Sequence, residues 1–241
     1  MSKAANSRSK FPTVVLVHGA FADGSSWNEV IAILHSQDID AVAVQNPLRS
    51  LADDVDATER AIGTQSGPVL LVGHSWGGTV ITQAGTGHRV AGLVYVAAFA
   101  PDVGESTTSA QKDHPVPGYV PHLQEDAGGF LYLPRKAMAE YFAQDLPLVL
   151  SSVLAATQGP IRGSAFDEAV TQAAWRSKRT WFVLTQQDRM IDPALQRSFA
   201  ERMRAEITAV QSSHVPFLSR PEETAAVIAA AAQAVALPPW N

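Results

Sequence analysis

Three residues far apart in the chain have the types needed for nucleophilic catalysis: Ser75, Asp188 and His214. Ser75 lies in Gly73-His74-Ser75-Trp76-Gly77, a Gly-x-Ser-x-Gly pattern that composition alone would produce in roughly one chain of this length in ten. Its setting makes it specific. An apolar run, Val69–Val72, leads straight into it and a helical pattern follows, as a sharp nucleophile turn between strand and helix requires. A serine hydroxyl is a weak nucleophile until a base takes its proton, and the base needs an acid to orient it. Of seven histidines, His214 sits in a loop after the last strand pattern and before the last helix. That loop emerges at the same sheet edge as Ser75. His18 closes the first strand, His74 lies inside the turn, and His35 and His88 fall on surface helix or turn. His114 and His122 are second choices. Asp188 follows another strand end by three residues. Its rival, Asp192, precedes Pro193 and suits a helix cap better. The resulting order, nucleophile, acid, base, is that of one of three known serine-hydrolase arrangements.

Acyl transfer also needs donors for the oxyanion. The N–H of Trp76, directly after the nucleophile, is one. Ala20, in the loop His18-Gly19-Ala20-Phe21 after the first strand, is the other candidate, with Gly19 allowing the tight turn.

The elements that must position these groups alternate. Strand patterns fall at Thr13–Val17, Ala41–Gln45, Val69–Val72, Val90–Val96, Thr180–Thr185 and Ile207–Val210, short apolar runs suited to burial on both faces. Helical stripes lie between them. One follows Ser26 as N-cap, one follows Ser50, one opens at Asp192-Pro193, and the last opens at Ser219-Arg220-Pro221. Six strands alternating with helices predict an α/β fold with a mostly parallel, doubly wound sheet. Residues 13–100 and 178–241 form this core, after a short disordered lead-in over 1–12. Residues 101–177 break the alternation and read as a helical cap inserted over the C-terminal sheet edge, with helical patterns near Arg135–Phe142, Leu148–Ala156 and Phe166–Trp175. Phe21, Tyr119, Phe130, Tyr132, Phe142 and Trp175 are candidates for the walls of an apolar pocket, or for cap core.

The chain's 241 residues carry 18 Lys+Arg, 23 Asp+Glu, a net charge of −5 and no cysteine. Such a chain buries roughly 70–75% of its unfolded surface, enough for one large core. Without cysteine there are no disulfides, thiolate nucleophiles or cysteine metal sites. The acidic balance argues against a nucleic-acid surface. No apolar stretch reaches the roughly 18 residues of a membrane span. The polar, basic N-terminus lacks the apolar core of a signal peptide, so a cytoplasmic location is expected, while a mature form with its leader removed stays open. No cofactor or metal is expected. The expected partner is a small-molecule ester, and association into a homodimer stays open.

Taken together, these motifs resemble the α/β-hydrolase superfamily, within it the small branch of plant salicylate-methyl-ester esterases, hydroxynitrile lyases and their bacterial relatives. The resemblance runs through Val17-His18-Gly19-Ala20-Phe21-Ala22-Asp23-Gly24-Ser25-Ser26-Trp27, Gly73-His74-Ser75-Trp76-Gly77-Gly78, Asp188-Arg189-Met190-Ile191-Asp192-Pro193 and Ser213-His214. It covers about residues 13–100 and 178–236. It implies an esterase with a Ser-His-Asp triad. The lyases are described with a lysine after the catalytic histidine and a threonine beside the oxyanion loop, where this chain has Val215 and Gly19. Aspartate-nucleophile dehalogenases and epoxide hydrolases, and cysteine-nucleophile dienelactone hydrolases, are disfavoured by Ser75. Perhydrolysis, lactone or amide hydrolysis, carbon–carbon cleavage and a non-catalytic small-molecule receptor are the alternatives on the same fold.

Overall fold

A computed structural model describes residues 10–236; most of the lead-in expected over 1–12 lies outside the described residues. The first strand, β1 (Thr13–Val17), is Thr-Val-Val-Leu-Val, with its last four residues buried. Branched side chains on both faces suit a strand covered on both sides. β2 (Ala41–Ala43), β3 (Val69–His74) and β4 (Val90–Val96) follow, then β8 (Arg179–Thr185) and β9 (Glu206–Val210) beyond a long insertion. These six strands form one all-parallel sheet in the order β2-β1-β3-β4-β8-β9.

Chain progression reverses at β1. From there α1 (Asn28–His35) leads outward to β2, whereas α2 (Leu51–Gly63) and α3 (Trp76–Ala84) lead the other way to β3 and β4. Right-handed crossovers therefore place α1 on one face and α2 and α3 on the other. α2 packs on α3, and the final helix α9 (Pro221–Ala234) joins α1. The crevice outside the carboxyl ends of β1 and β3, at this switch point, is where such sheets bind ligands.

Side-chain caps open two of the expected helices. Ser50 Oγ accepts from the Asp53 N–H at 3.0 Å to open α2, and Asp192 Oδ1 accepts from Ala194 N–H at 2.7 Å to open α7 (Pro193–Arg202). The cap expected at Ser26 is displaced. Asp23 accepts from the Ser25 N–H at 2.7 Å and starts a 3₁₀ turn over Gly24–Trp27, leaving α1 to begin at Asn28.

Residues 101–177 hold α4 (Thr107–Ala110), a three-stranded antiparallel sheet of β5 (Gln124–Glu125), β6 (Phe130–Tyr132) and β7 (Ile161–Arg162), α5 (Arg135–Ala137) and α6 (Leu148–Thr157). α5 runs directly into a π-helical turn, Met138–Phe142. The helix expected over Phe166–Trp175 is instead two separate 3₁₀ turns. Between them the Glu168 carboxylate accepts the Leu51 N–H (2.9 Å), and the Val170 N–H bonds Glu105 O (2.9 Å), a long-range acceptor in place of a helical one. The short α8 (Pro216–Ser219) precedes α9.

Candidate active site

β3 delivers Ser75 to the N-terminus of α3 with φ 53° and ψ −121°. Positive φ on a non-glycine residue is strained and persists only where the surroundings enforce it. Here they do. The Ser75 carbonyl accepts from Gly78 N–H (2.9 Å) and Phe99 N–H (3.2 Å), and its own N–H reaches Val96 O at 3.3 Å. A methyl group on Gly73 would lie 2.5 Å from Gly77 O, and one on Gly77 would strike Val17 O. The two glycines let α3 approach β1 and β3 closely enough to hold the turn. The side chain of Ser75 lies in the positive field of the α3 N-terminus.

Asp188 is buried beyond β8 and held by five donors. Oδ1 accepts from the Met190 and Ile191 N–H groups at 2.7 and 3.0 Å. Oδ2 accepts from Thr185 Oγ1 (2.9 Å), Gln196 Nε2 (2.8 Å) and His214 Nδ1 (2.8 Å). An ionised carboxylate only accepts, so the proton of neutral His214 sits on Nδ1 and its Nε2 lone pair is bare. That Nε2 is buried and has no hydrogen-bond partner among the described residues. The bond from Ser75 Oγ to it is therefore not formed.

His74 ties the His214 loop to the serine turn. Its Nε2 donates to the His214 carbonyl at 2.9 Å, and the two rings lie 4.6 Å apart. Burial first, then the neighbouring His214, lowers its pKa well below that of a free imidazole, so His74 stays neutral.

The loop after β1 completes the arrangement. A methyl group on Gly19 would sit 2.7 Å from Ser75 Cβ and 2.9 Å from His74 O, which places this loop directly against Ser75. His18 holds it: Nδ1 donates to Gly19 O (2.8 Å) while Nε2 accepts the Asn46 N–H (3.0 Å). Burial lowers the His18 pKa, favouring this neutral tautomer. The Phe21 N–H is used by Gly159 O at 3.1 Å. Among the described residues no acceptor pairs with the Ala20 N–H. The Trp76 N–H, in the first turn of α3, has no intrahelical partner. Neither N–H has a hydrogen-bond acceptor among the described residues. The Trp76 indole is pinned by Asp54, whose Oδ2 accepts Nε1–H at 2.7 Å and whose Oδ1 accepts the Leu48 N–H at 2.8 Å. Burial pushes the Asp54 carboxyl up to about 6 against the pull of these donors.

The expected pocket residues divide. Phe21 is buried beside the loop. Phe142 stands edge-on to the His214 ring, centroids 5.2 Å apart. Burial first, then the Asp188 charge, pushes the Tyr119 phenol up to about 12. Phe130 and Tyr132 are half-buried on β6. Trp175 is placed elsewhere. Its Nε1 donates to Pro101 O (3.0 Å), and Arg202, the last residue of α7, lies over its ring at 5.4 Å. Since α7 runs back from the acid loop, Trp175 belongs to the opposite end of the sheet. His122 stacks on Tyr141, 5.5 Å between centroids. Among the described residues no cluster of His, Cys, Asp or Glu could hold a metal ion, and no helix is long and apolar enough to cross a membrane.

Sequence reasoning missed Thr185, Gln196 and Asp54. Gln196 and Asp54 had a usable signal: each is a polar residue on the buried face of an amphipathic helix, where it must find a partner.

This sheet, with its strained serine at the β3–α3 turn and its buried Asp–His pair, defines an α/β-hydrolase. Residues 14–227 match the model of the alpha/beta hydrolase family, and the chain belongs to that family as a hydrolase. It is 27% identical over 241 residues to the probable hydrolase R7 of Phoma sp., covering 90% of this chain and 97% of that protein. Its fold is similar to that of polyneuridine aldehyde esterase, with a TM-score of 0.79, 17% identity and coverage of 92% and 99% of the two chains. A pyrethroid hydrolase from Sphingobium faniae JZ-2 is similar in fold, with a TM-score of 0.76, 20% identity and coverage of 92% and 98%.

Proposed function

We propose that the chain hydrolyses carboxylic esters through an acyl-enzyme on Ser75. The observation that carries this reading is the buried Asp188–His214 pair, 2.8 Å apart, tied through the His74 bond to the His214 carbonyl to the turn that holds Ser75 at φ 53°. His214 Nε2 takes the Ser75 proton as Oγ attacks the ester carbonyl, and the imidazolium is stabilised by Asp188. The Ala20 and Trp76 N–H groups receive the oxyanion, each donor being worth about 3–4 kcal/mol of barrier. Collapse breaks the ester C–O bond, and the alcohol leaves with the proton from Nε2. Water, deprotonated by the same nitrogen, then attacks the acyl carbonyl, and the acid departs as the proton returns to Ser75. Val215 after the histidine supplies no positive charge for a departing cyanide, which favours the ester reading over lyase chemistry. Phe21, Phe142 and Tyr119 around the centre suit an apolar acyl or aryl group. Ser75→Ala should abolish turnover of a p-nitrophenyl ester and covalent labelling by a fluorophosphonate while leaving the circular dichroism spectrum unchanged. Turnover at the wild-type rate in that variant overturns the proposal.

A further inference from the structure

The π-helical turn Met138–Phe142 and the three residues after it make four contacts with the two loops that carry Asp188 and His214. Glu140 O accepts from Arg189 Nη1 at 2.9 Å, beside the acid. The Phe142 ring stands against the rings of both His214 and His74, at 5.2 and 6.3 Å between centroids. Gln144 Nε2 donates to Gln187 O at 2.6 Å, one residue before Asp188. Asp145 Oδ2 accepts the Ser213 N–H at 2.9 Å, one residue before His214. Below these contacts the two loops are joined to each other by Gln187 N–H and Ser212 O at 3.1 Å.

This geometry has a local cause and a local cost. The Ala143 N–H bonds Met138 O at 2.9 Å, five residues back. The wider turn inserts one residue relative to an α-helix, and such turns concentrate at functional sites. The other oxygen of the Asp145 carboxylate, Oδ1, and Gln144 Oε1 are buried without a partner among the described residues. Half-satisfied polar groups of this kind are costly, and departures from good packing practice cluster where function demands them.

We propose that residues 140–145 form a clamp that sets the spacing of acid and base, with Asp145 and Gln144 as positioning residues. The inference rests on the triad reading above. Asp145 fixes the peptide that launches His214, and Gln144 fixes the one that launches Asp188. Neither side chain is asked to touch substrate. Their loss displaces Nε2 from its line to Ser75, which lowers the rate of acyl transfer and leaves substrate binding unchanged.

The test is steady-state hydrolysis of a p-nitrophenyl ester by the full chain. Asp145→Ala should lower kcat by about 10- to 100-fold, the loss that a misplacement of about 1 Å brings, with KM within about twofold of wild type. Asp145→Asn keeps an acceptor oxygen for the Ser213 N–H and should restore most of kcat. Gln144→Ala should lower kcat in the same sense, and it carries the test if Asp145→Ala fails to fold by near-ultraviolet circular dichroism. An unchanged kcat in Asp145→Ala, a rise in KM alone, or a loss that asparagine does not rescue overturns the clamp. Ser75→Ala in the same assay separates the two readings. If it is inactive while Asp145→Ala is fully active, the clamp alone falls; if it retains turnover, triad and clamp fall together.

Discussion

Asp54 offers the sharpest quantitative test of the electrostatics around the Ser75 turn. It is fully buried and bonded to the Trp76 indole and the Leu48 N–H, yet burial outweighs these donors and raises its carboxyl from 3.8 to about 6. The difference, about 2 pKa units at about 1.4 kcal/mol each, is on the order of 3 kcal/mol. The sign follows from proton counting. Between about pH 4 and 6 the folded chain holds a proton that the unfolded chain has released, so stability falls as pH rises through this window and levels above it. Asp54→Asn removes the ionisation. It also sets an amide NH₂ against one of two N–H donors, a pH-independent cost of about 1–3 kcal/mol for the group left unsatisfied. The two effects roughly cancel above about pH 7, so a single measurement there says little. The informative quantity is the difference in unfolding free energy between wild type and variant, measured by urea denaturation at a series of pH values. Groups common to both proteins drop out of it. The difference should move by about 2 kcal/mol in the variant's favour between about pH 4 and 7. A difference that stays flat with pH refutes the claim that Asp54 carries a buried, destabilised charge.

Two further substitutions probe the site framework. Gly19→Ala places a methyl group 2.7 Å from Ser75 Cβ and 2.9 Å from His74 O, so kcat/KM for ester hydrolysis should fall by about 10- to 100-fold; full activity would show that the loop does not abut the nucleophile. Gln196→Leu removes a donor from Asp188 Oδ2 and the acceptor of the Thr185 N–H. It should cost about 1–3 kcal/mol, read as a lower thermal midpoint, and an unchanged midpoint would remove Gln196 from the support of the acid.

The parts legible in the sequence are those whose signals are local. β1 and β4 have the bounds that their apolar runs indicate, because strands buried on both faces leave no polar residue to blur the ends. The six-stranded parallel sheet follows from the alternation alone. β3 extends two residues past its apolar run into Gly73-His74, since glycine in a strand reads as a break while here it admits the Gly77 backbone. The small antiparallel sheet was invisible: β5 and β7 have two residues each, too few for any periodicity. Trp175 looked like a pocket residue because aromatic type is local, whereas its position beside Arg202 is a tertiary fact. The same holds for Gln144 and Asp145, whose partners lie 43 and 68 residues away.

β4 and β8 are hydrogen-bonded neighbours, register Leu93↔Thr180 through Val96↔Val183, although about 80 residues separate them in the chain. That pairing bears on how the molecule assembles. Closing so long a loop costs entropy before any ladder bond repays it, and contacts of high sequence separation slow folding. The β1–β4 half, linked by short crossovers, is kinetically the easier unit to form. Ser75 belongs to that half, and Asp188 and His214 belong to the half added across the insertion. Under the proposed triad, Ser75 therefore meets Asp188 and His214 only once that long-range closure is made, and a partly folded chain that already presents the serine turn would have nothing to activate it.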